Sequence, residues 1–359
     1  MEKIRVFLTD DSMVIRRLLA QVLSENPNIE VVGQAANGKL AIEQLPTIKP
    51  DVMILDIEMP EMNGIETLRE LRKRGIRLPI IMFSTLTEKG ATITLEALSL
   101  GASDYVSKPA NVGSVGESMA KVRDELVPKI QGLFLGGKAR ALATATATAQ
   151  AAPTPARAAR VERIDVVAIG SSTGGPPALT QVLTALPENF PVPIVVTQHM
   201  PAVFTKQLAV RLQSESKLKV HEATSGQELE AGNVYLAPGG FHLLLSRQGL
   251  NLKTGLDEGP PENSCRPAVD PMFRSIATTF GNRALALVLT GMGVDGLEGS
   301  KAIIQQGGSV IVQDEDTSVV WGMPGAIAKA GLATKQLAIQ DIGRELVAMT
   351  SIGRTTSAG

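Results

Sequence analysis

The sequence predicts an α/β protein made of two doubly wound parallel-sheet domains in tandem. Apolar runs of strand length alternate with helix-period segments from Ile4 to about Leu126, and the same rhythm resumes at Ile164. Between these halves lies a stretch dominated by Ala, Thr, Gln and Pro, with few large apolar side chains to bury.

In the first half, strands are expected at Arg5–Thr9, Glu30–Ala35, Val52–Asp56, Ile80–Phe83 and Tyr105–Ser107. Helical spacing with a polar face marks intervening segments such as Met13–Leu23, Ile65–Arg74 and Thr92–Leu100. Residues 127–160, including Gly136-Gly137-Lys138 and the Ala/Thr run from Ala141, are read as a flexible linker. In the second half, taken as 161–352, strands are expected near Val166–Gly170, Ile194–Thr197, Val234–Ala237, Leu285–Leu289 and Val310–Val312. Helices are expected at Pro177–Leu186, Val203–Ser214, Pro271–Phe280, Gly296–Gln306 and Ile342–Met349. Phe241–Lys253, with Arg247-Gln248-Gly249 in its middle, reads as an inserted β-hairpin, and residues 353–359 as a disordered tail.

A chain of 359 residues exceeds one ordinary core and suits two domains. With 35 basic and 36 acidic residues, its net charge of -1 gives no reason to expect nucleic-acid binding or membrane attraction. The single cysteine, Cys265, excludes an intramolecular disulfide framework and suits a reducing compartment. No apolar stretch approaches the roughly 20 residues that cross a bilayer. Met1–Val6 runs straight into a strand without an apolar leader, so a soluble, cytoplasmic protein is expected.

The carboxyl ends of parallel strands share one edge, so residues far apart in sequence converge there. In the first half these ends carry Asp10 and Asp11, Asp56, Ser84, and Lys108 before Pro109. Three carboxylates in one cleft repel each other unless a hard divalent cation joins them, and oxygen ligands point to Mg²⁺. Asp56 is then a carboxylate nucleophile towards a phosphoryl group, with Lys108 neutralising its oxygens and Ser84 donating a hydrogen bond. Taken singly, Asp11 reads equally well as a cap of the helix that follows, and Lys108 as a solvated loop lysine.

In the second half, Val166–Gly170 stops at Gly170-Ser171-Ser172-Thr173-Gly174-Gly175-Pro176-Pro177. Ser172 thus sits inside Gly-x-Ser-x-Gly on a strand–turn–helix, the context of a hydrolytic nucleophile. Other readings of this turn are a helix cap and a phosphate-binding loop. The loop has neither Gly-x-Gly-x-x-Gly nor the Walker lysine. A serine nucleophile needs a base, and only His199, His221 and His242 are available. His199 follows the Ile194–Gln198 run and would emerge beside Ser172 if the two strands are neighbours, whereas His221 and His242 read as structural, with a cleft-lining role as the alternative for His242 after Pro238-Gly239-Gly240. Asp295, in Thr290-Gly291-Met292-Gly293-Val294-Asp295-Gly296, is the best candidate for the orienting carboxylate, ahead of Asp165, Asp257, Asp270, Asp314 and Asp316, which lack a strand end joined to a glycine-rich loop; a helix N-cap is its alternative role.

The first half resembles the response-regulator receiver domain, carried by Asp10-Asp11, Asp56 in Asp-Ile-Glu-Met-Pro-Glu-Met-Asn-Gly, Ser84, and Tyr105 before Lys108-Pro109. Residues 1–126 would then form a flavodoxin-like receiver. The resemblance implies phosphorylation of Asp56 by a chemotaxis histidine kinase and Mg²⁺ held by Asp10, Asp11, Asp56 and the backbone of Glu58. Ser84 and Tyr105 would relay the state. Residues 161–352 resemble the CheB-type methylesterase domain, carried by Gly-Ser-Ser-Thr-Gly-Gly, Thr197-Gln198-His199-Met200-Pro201, Pro238-Gly239-Gly240-Phe241-His242 and the Thr290–Gly296 loop. This implies Ser172 as nucleophile, His199 as base and Asp295 as its orienter, with the oxyanion held by backbone amides of Thr173 and Met292 and no cofactor for the hydrolase. The implied substrates are glutamate methyl esters, and receptor glutamines for deamidation, on cytoplasmic domains of methyl-accepting chemoreceptors. In that family the unphosphorylated receiver blocks the hydrolase.

Overall fold

The computed structural model describes residues 3–108, 115–145, 163–249 and 251–354. The chain divides into two compact units between Ala147 and Thr148.

The first unit alternates β1 (Ile4–Thr9), α1 (Met13–Ser24), β2 (Ile29–Ala35), α2 (Gly38–Ile48), β3 (Val52–Asp56), α3 (Gly64–Lys73), β4 (Ile80–Ser84), α4 (Glu88–Ser99), β5 (Asp104–Ser107) and α5 (Val115–Ala145). Its five strands are parallel in the order β2-β1-β3-β4-β5. The order reverses between β1 and β3, which opens a crevice at their carboxyl ends. Strands β3 and β4 are buried throughout, as a sheet covered on both faces requires. Side-chain caps start the helices: Ser12 accepts from Ile15 N–H at α1, Asn37 caps α2, and Asn63 with Glu66 forms a capping box on α3. Ser12, not Asp11, is therefore the α1 cap, which leaves Asp11 free of that duty.

The linker boundary needs correction. Helix α5 runs on to Ala145, through much of the segment 127–160 read as flexible. Met119, Val122, Leu126, Ile130 and Leu133 are buried at spacings of three or four residues, so the helix lays an apolar stripe on the unit. Pro128 inside the helix hides that stripe from a sequence reading, because proline usually ends a helix. Residues 146–162 lie outside those described.

The second unit contains β6 (Val166–Ser171), α6 (Gly175–Thr184), β7 (Ile194–Gln198), α7 (Ala202–Glu215), β8 (Lys219–Glu222) and β9 (Asn233–Leu236). The hairpin β10 (His242–Gln248) and β11 (Asn251–Asp257) follows, then α8 (Val269–Phe280), β12 (Ala284–Val288), α9 (Leu297–Gln305), β13 (Ser309–Gln313), α10 (Met323–Lys329), β14 (Lys335–Leu337) and α11 (Ile339–Ser351). The seven-stranded sheet is parallel, in the order β14-β13-β12-β6-β7-β9-β8. Its order reverses between β6 and β12, so the crevice of this unit opens where Ser172 and the Thr290–Gly296 loop emerge. Short elements without a clear period, β14 and α10, and the helix α2 are additions to the expected set.

Helix α8 buries Val269, Met272, Phe273, Ile276, Ala277 and Phe280 along one face, beneath the sheet and the hairpin. The hairpin is a separate antiparallel pair, longer in its second arm than expected, and is fastened by Leu245 N–H donating to Ser275 Oγ at 3.0 Å. Of the segment read as a disordered tail, Arg354 is anchored: its guanidinium donates to the Ile164 carbonyl at 2.9 Å and pairs with Asp165 at 3.2 Å.

The extended α5 makes a stability prediction. Ile130→Ala removes a fully buried side chain and should destabilise the first unit by about 2–5 kcal/mol in urea unfolding. A flexible segment at this position would give a change of only about 0.5 kcal/mol or less.

Candidate active site

In the second unit, β6 pairs with β7 in a register that sets Ser171 opposite Gln198, and His199 N–H donates to the Ser171 carbonyl at 3.2 Å. Ser172 and His199 therefore leave the ends of adjacent strands. Gln198 locks the turn: Ser171 Oγ donates to its Oε1 at 2.7 Å, and its Nε2 donates to the Ser172 carbonyl at 3.0 Å. Gly174 has φ 75°, and a Cβ there would stand 2.6 Å from the Val319 side chain, so glycine is required on both counts. Ser172 N–H donates to the Thr290 carbonyl at 3.1 Å. A Cβ on Gly291 would come within 2.9 Å of the Ser172 Cβ, which explains the glycine-rich loop facing the serine.

Asp295 completes the crevice. Its Oδ2 lies 2.7 Å from His199 Nε2 and 2.6 Å from Val269 N, while its Oδ1 accepts from Asp270 N at 3.0 Å and Gly296 N at 2.9 Å. The carboxylate thus sits on the first N–H groups of α8, where the helix dipole favours a negative charge. The N-cap alternative is half right: Asp295 serves the start of α8, and the helix after it, α9, has no side-chain cap. Burial opposes its charge, but His199 and the Val269 and Asp270 amides hold its carboxyl below the usual value. Burial likewise opposes a charged His199, yet Asp295 and the facing Cys265 push the imidazole up to about 10. Cys265 beside the ring was not singled out as a site residue.

Ser172 is partly exposed and its hydroxyl makes no hydrogen bond among the described residues, so the Ser172–His199 link is not formed here. Such bonds commonly tighten only when substrate binds. With Nε2 engaged by Asp295, Nδ1 is the ring nitrogen the carboxylate leaves untouched. Thr173, next to Ser172, is buried, its carbonyl accepting from Thr290 Oγ1 at 2.9 Å. The Met292 N–H has no partner among the described residues and lies on the loop that borders Ser172. The other two histidines are tied into the framework. His221 meets Asn233 Oδ1 at 3.0 Å; buried His242 accepts from Ala268 N–H at 3.1 Å and meets the Pro260 carbonyl at 3.0 Å.

In the first unit, carboxylate oxygens of Asp10, Asp11 and Asp56 lie within 4.8 Å of one another. Lys108 Nζ stands 2.7 Å from Asp56 Oδ2 and 3.2 Å from Asp10 Oδ2. Apart from that ammonium, those two buried oxygens have no partner among the described residues. Asp56 Oδ1 accepts from Ile57 N–H at 2.7 Å. Burial pushes the Asp56 carboxyl up to about 6 against the pull of Lys108, with Asp10 adding to the rise. An all-oxygen set with unsatisfied buried anions fits a hard divalent cation. Glu58 is exposed on the loop after β3, in a cleft of about 670 Å³ shared with Asp11 and Lys89. Ser84 Oγ accepts from Thr94 Oγ1 of α4 at 2.7 Å, and Tyr105 is buried with Lys129 Nζ 5.0 Å from its ring centre.

Fold and sites define a protein class: a receiver-type acidic pocket in one α/β unit, and a serine–imidazole–carboxylate crevice in a second. Sequence comparison matches residues 167–346 to the family described as CheB methylesterase and residues 6–119 to the response regulator receiver domain. A protein of Trichodesmium erythraeum named protein-glutamate methylesterase/protein-glutamine glutaminase is 45% identical over 97% of this chain and 99% of its own length. One of the same name from a Nocardioides species is 50% identical over 97% of this chain and 95% of its own. The crystal structure of the Thermotoga maritima CheB methylesterase catalytic domain covers 52% of this chain and all of that domain, at 44% identity and TM-score 0.51. The chain belongs to the CheB methylesterase family and carries a response-regulator receiver domain.

The raised imidazole has a measurable consequence. An unfolded histidine titrates near 6.5, so stabilisation from the His199–Asp295 pair is complete below about 6.5 and is lost as pH rises through about 10. The stability gap between wild type and His199→Gln in urea unfolding should therefore shrink across that window. A gap independent of pH would mean that the folded imidazole titrates where the unfolded one does.

Proposed function

We propose that this chain is a phosphorylation-regulated serine hydrolase that removes methyl groups from glutamate methyl esters on the cytoplasmic domains of chemoreceptors. The observation that supports it most is the His199–Asp295 pair at 2.7 Å, at the end of the strand adjacent to the one that presents Ser172. The family name borne by its relatives, methylesterase and glutaminase, supports the substrate class.

In this reading Ser172 Oγ attacks the ester carbonyl and its proton passes to His199 Nδ1. Asp295 stabilises the imidazolium that forms. The tetrahedral oxyanion is met by the Thr173 and Met292 N–H groups, and its collapse expels methanol, protonated by His199. Water, deprotonated by the same imidazole, then frees the glutamate and restores the serine. A receptor glutamine follows the same steps and releases ammonia.

The receiver would hold Mg²⁺ through Asp10, Asp11, Asp56 and the Glu58 backbone carbonyl, and this ion supplies charge neutralisation for phosphoryl transfer to Asp56. A chemotaxis histidine kinase is the phosphodonor, in the cytoplasm. Lys108 steadies the new phosphate. Ser84 would leave Thr94 to donate to a phosphoryl oxygen, and buried Tyr105 completes the relay. Among the described residues no helix is long and apolar enough to cross a membrane.

Two variants test the reading by methanol release from methylated receptor membranes. Ser172→Ala should lower turnover by roughly 10⁴-fold or more; an unchanged rate refutes the nucleophile. Acetyl phosphate with Mg²⁺ should stimulate the wild type, and Asp56→Asn should abolish that stimulation while leaving the basal rate.

A further inference from the structure

The loop that enters α8 carries a side chain the triad does not account for. Asn263 has φ 49°, in the left-handed region where asparagine is among the few residues tolerated. Its carboxamide nitrogen lies 3.0 Å from Asp295 Oδ1 and 3.0 Å from Asp270 Oδ2. That nitrogen has two hydrogens, and each goes to a different carboxylate.

Asp270 is itself part of the crevice. It is 3% exposed, donates its N–H to Asp295 Oδ1, and accepts from Gly299 N–H at 2.6 Å through its own Oδ1. Two neighbouring carboxylates away from water repel each other, and without compensation one takes a proton. The other charged or titratable groups around them are His199 on Asp295, Cys265 on His199, and Arg274 of α8 paired with Glu262. Burial is the main force raising the Asp270 carboxyl, to about 6; Gly299 and Asn263 oppose it, and Asp295 reinforces it.

We infer that Asn263 is a positioning residue of the esterase centre: one carboxamide keeps Asp295 and Asp270 together as anions, and so keeps Asp295 charged and aimed at His199. This rests on the reading of Ser172, His199 and Asp295 as the triad. Loss of the donor raises the proton affinity of the cluster, whichever of Asp295, Asp270 or His199 takes the proton. The acidic limb of the rate profile then moves up, and turnover falls while substrate binding is spared.

The test uses the full chain on methylated receptor membranes, with Asn263→Gly, Asn263→Asp and Ser172→Ala. The glycine variant suits the left-handed backbone and deletes the amide; the aspartate variant keeps its shape and replaces the donor with a third carboxylate. Both should lose kcat by about 10- to 100-fold with KM within about twofold. Their acidic limbs should rise by about one pH unit, further for the aspartate. Thermal unfolding shows which variants are folded, and either folded variant decides. Wild-type kcat, or a loss of kcat with an unmoved limb, overturns the inference. An inactive Ser172→Ala beside unaffected Asn263 variants sinks this inference alone, whereas an active Ser172→Ala sinks the triad beneath it.

Discussion

A carboxylate shut away from water organises the second unit. Asp295 is 1% exposed, and an unpaired charge at that depth costs several kcal/mol. It is tolerated because donors reach it from segments far apart in the chain: His199 after β7, the start of α8, the Gly296 amide, and the loop bearing Asn263. Each segment gives a donor to this one anion. The hairpin belongs to the same arrangement, because His242 at its start takes the Ala268 N–H just before α8 begins. The hairpin thereby helps fix the helix end on which the carboxylate rests.

Both units use one topological device with opposite electrostatics. Each parallel sheet reverses its order beside its first strand, and each site stands at that reversal. In the first unit the crevice gathers three carboxylates and one ammonium, a site for cation and phosphoryl chemistry. In the second, the anion is withdrawn into protein beside a mostly buried imidazole, and the serine hydroxyl is partly exposed. A neutral ester suits the latter crevice and a phosphoryl group the former.

Much of this was legible in the sequence, for a definite reason. Strands buried on both faces are written as apolar runs, so the first polar residue after each run marks a strand end. Asp56 and Ser84 follow their runs directly and Asp10 one residue later, whereas Ser172 is marked by its Gly-x-Ser-x-Gly turn and His199 by the scarcity of histidines; parallel topology then requires them to converge. Asn263 and Cys265 escaped because they belong to an irregular loop, where no period says which way a side chain points, and Asp270 ranks below Asp295 because neither a strand end nor a glycine-rich loop marks it. Pro128 similarly concealed how far α5 extends, although the apolar stripe from Met119 to Leu133 continues through it. Asp295 was found as a residue and only half understood as a contact. Its sequence neighbour is α9, but the helix it serves is α8, and only three-dimensional packing could reveal the exchange.

The Asp295–His199 pair sets two demands against each other. In the proposed mechanism, an imidazole whose basicity Asp295 and Cys265 raise to about 10 would stabilise the proton taken from Ser172, which favours the transition state. The same interactions favour the charged form at rest, which opposes uptake of that proton. Burial is the opposing force, and it is already the largest single influence on the ring. A neutral ester seated over Ser172 would displace the remaining water and increase that influence, favouring the uncharged imidazole as the nucleophile meets its target. Asp295 would then act fully only when charge returns to the ring during attack. For this the carboxylate has to remain an anion throughout the cycle, and the donors gathered around it serve that condition.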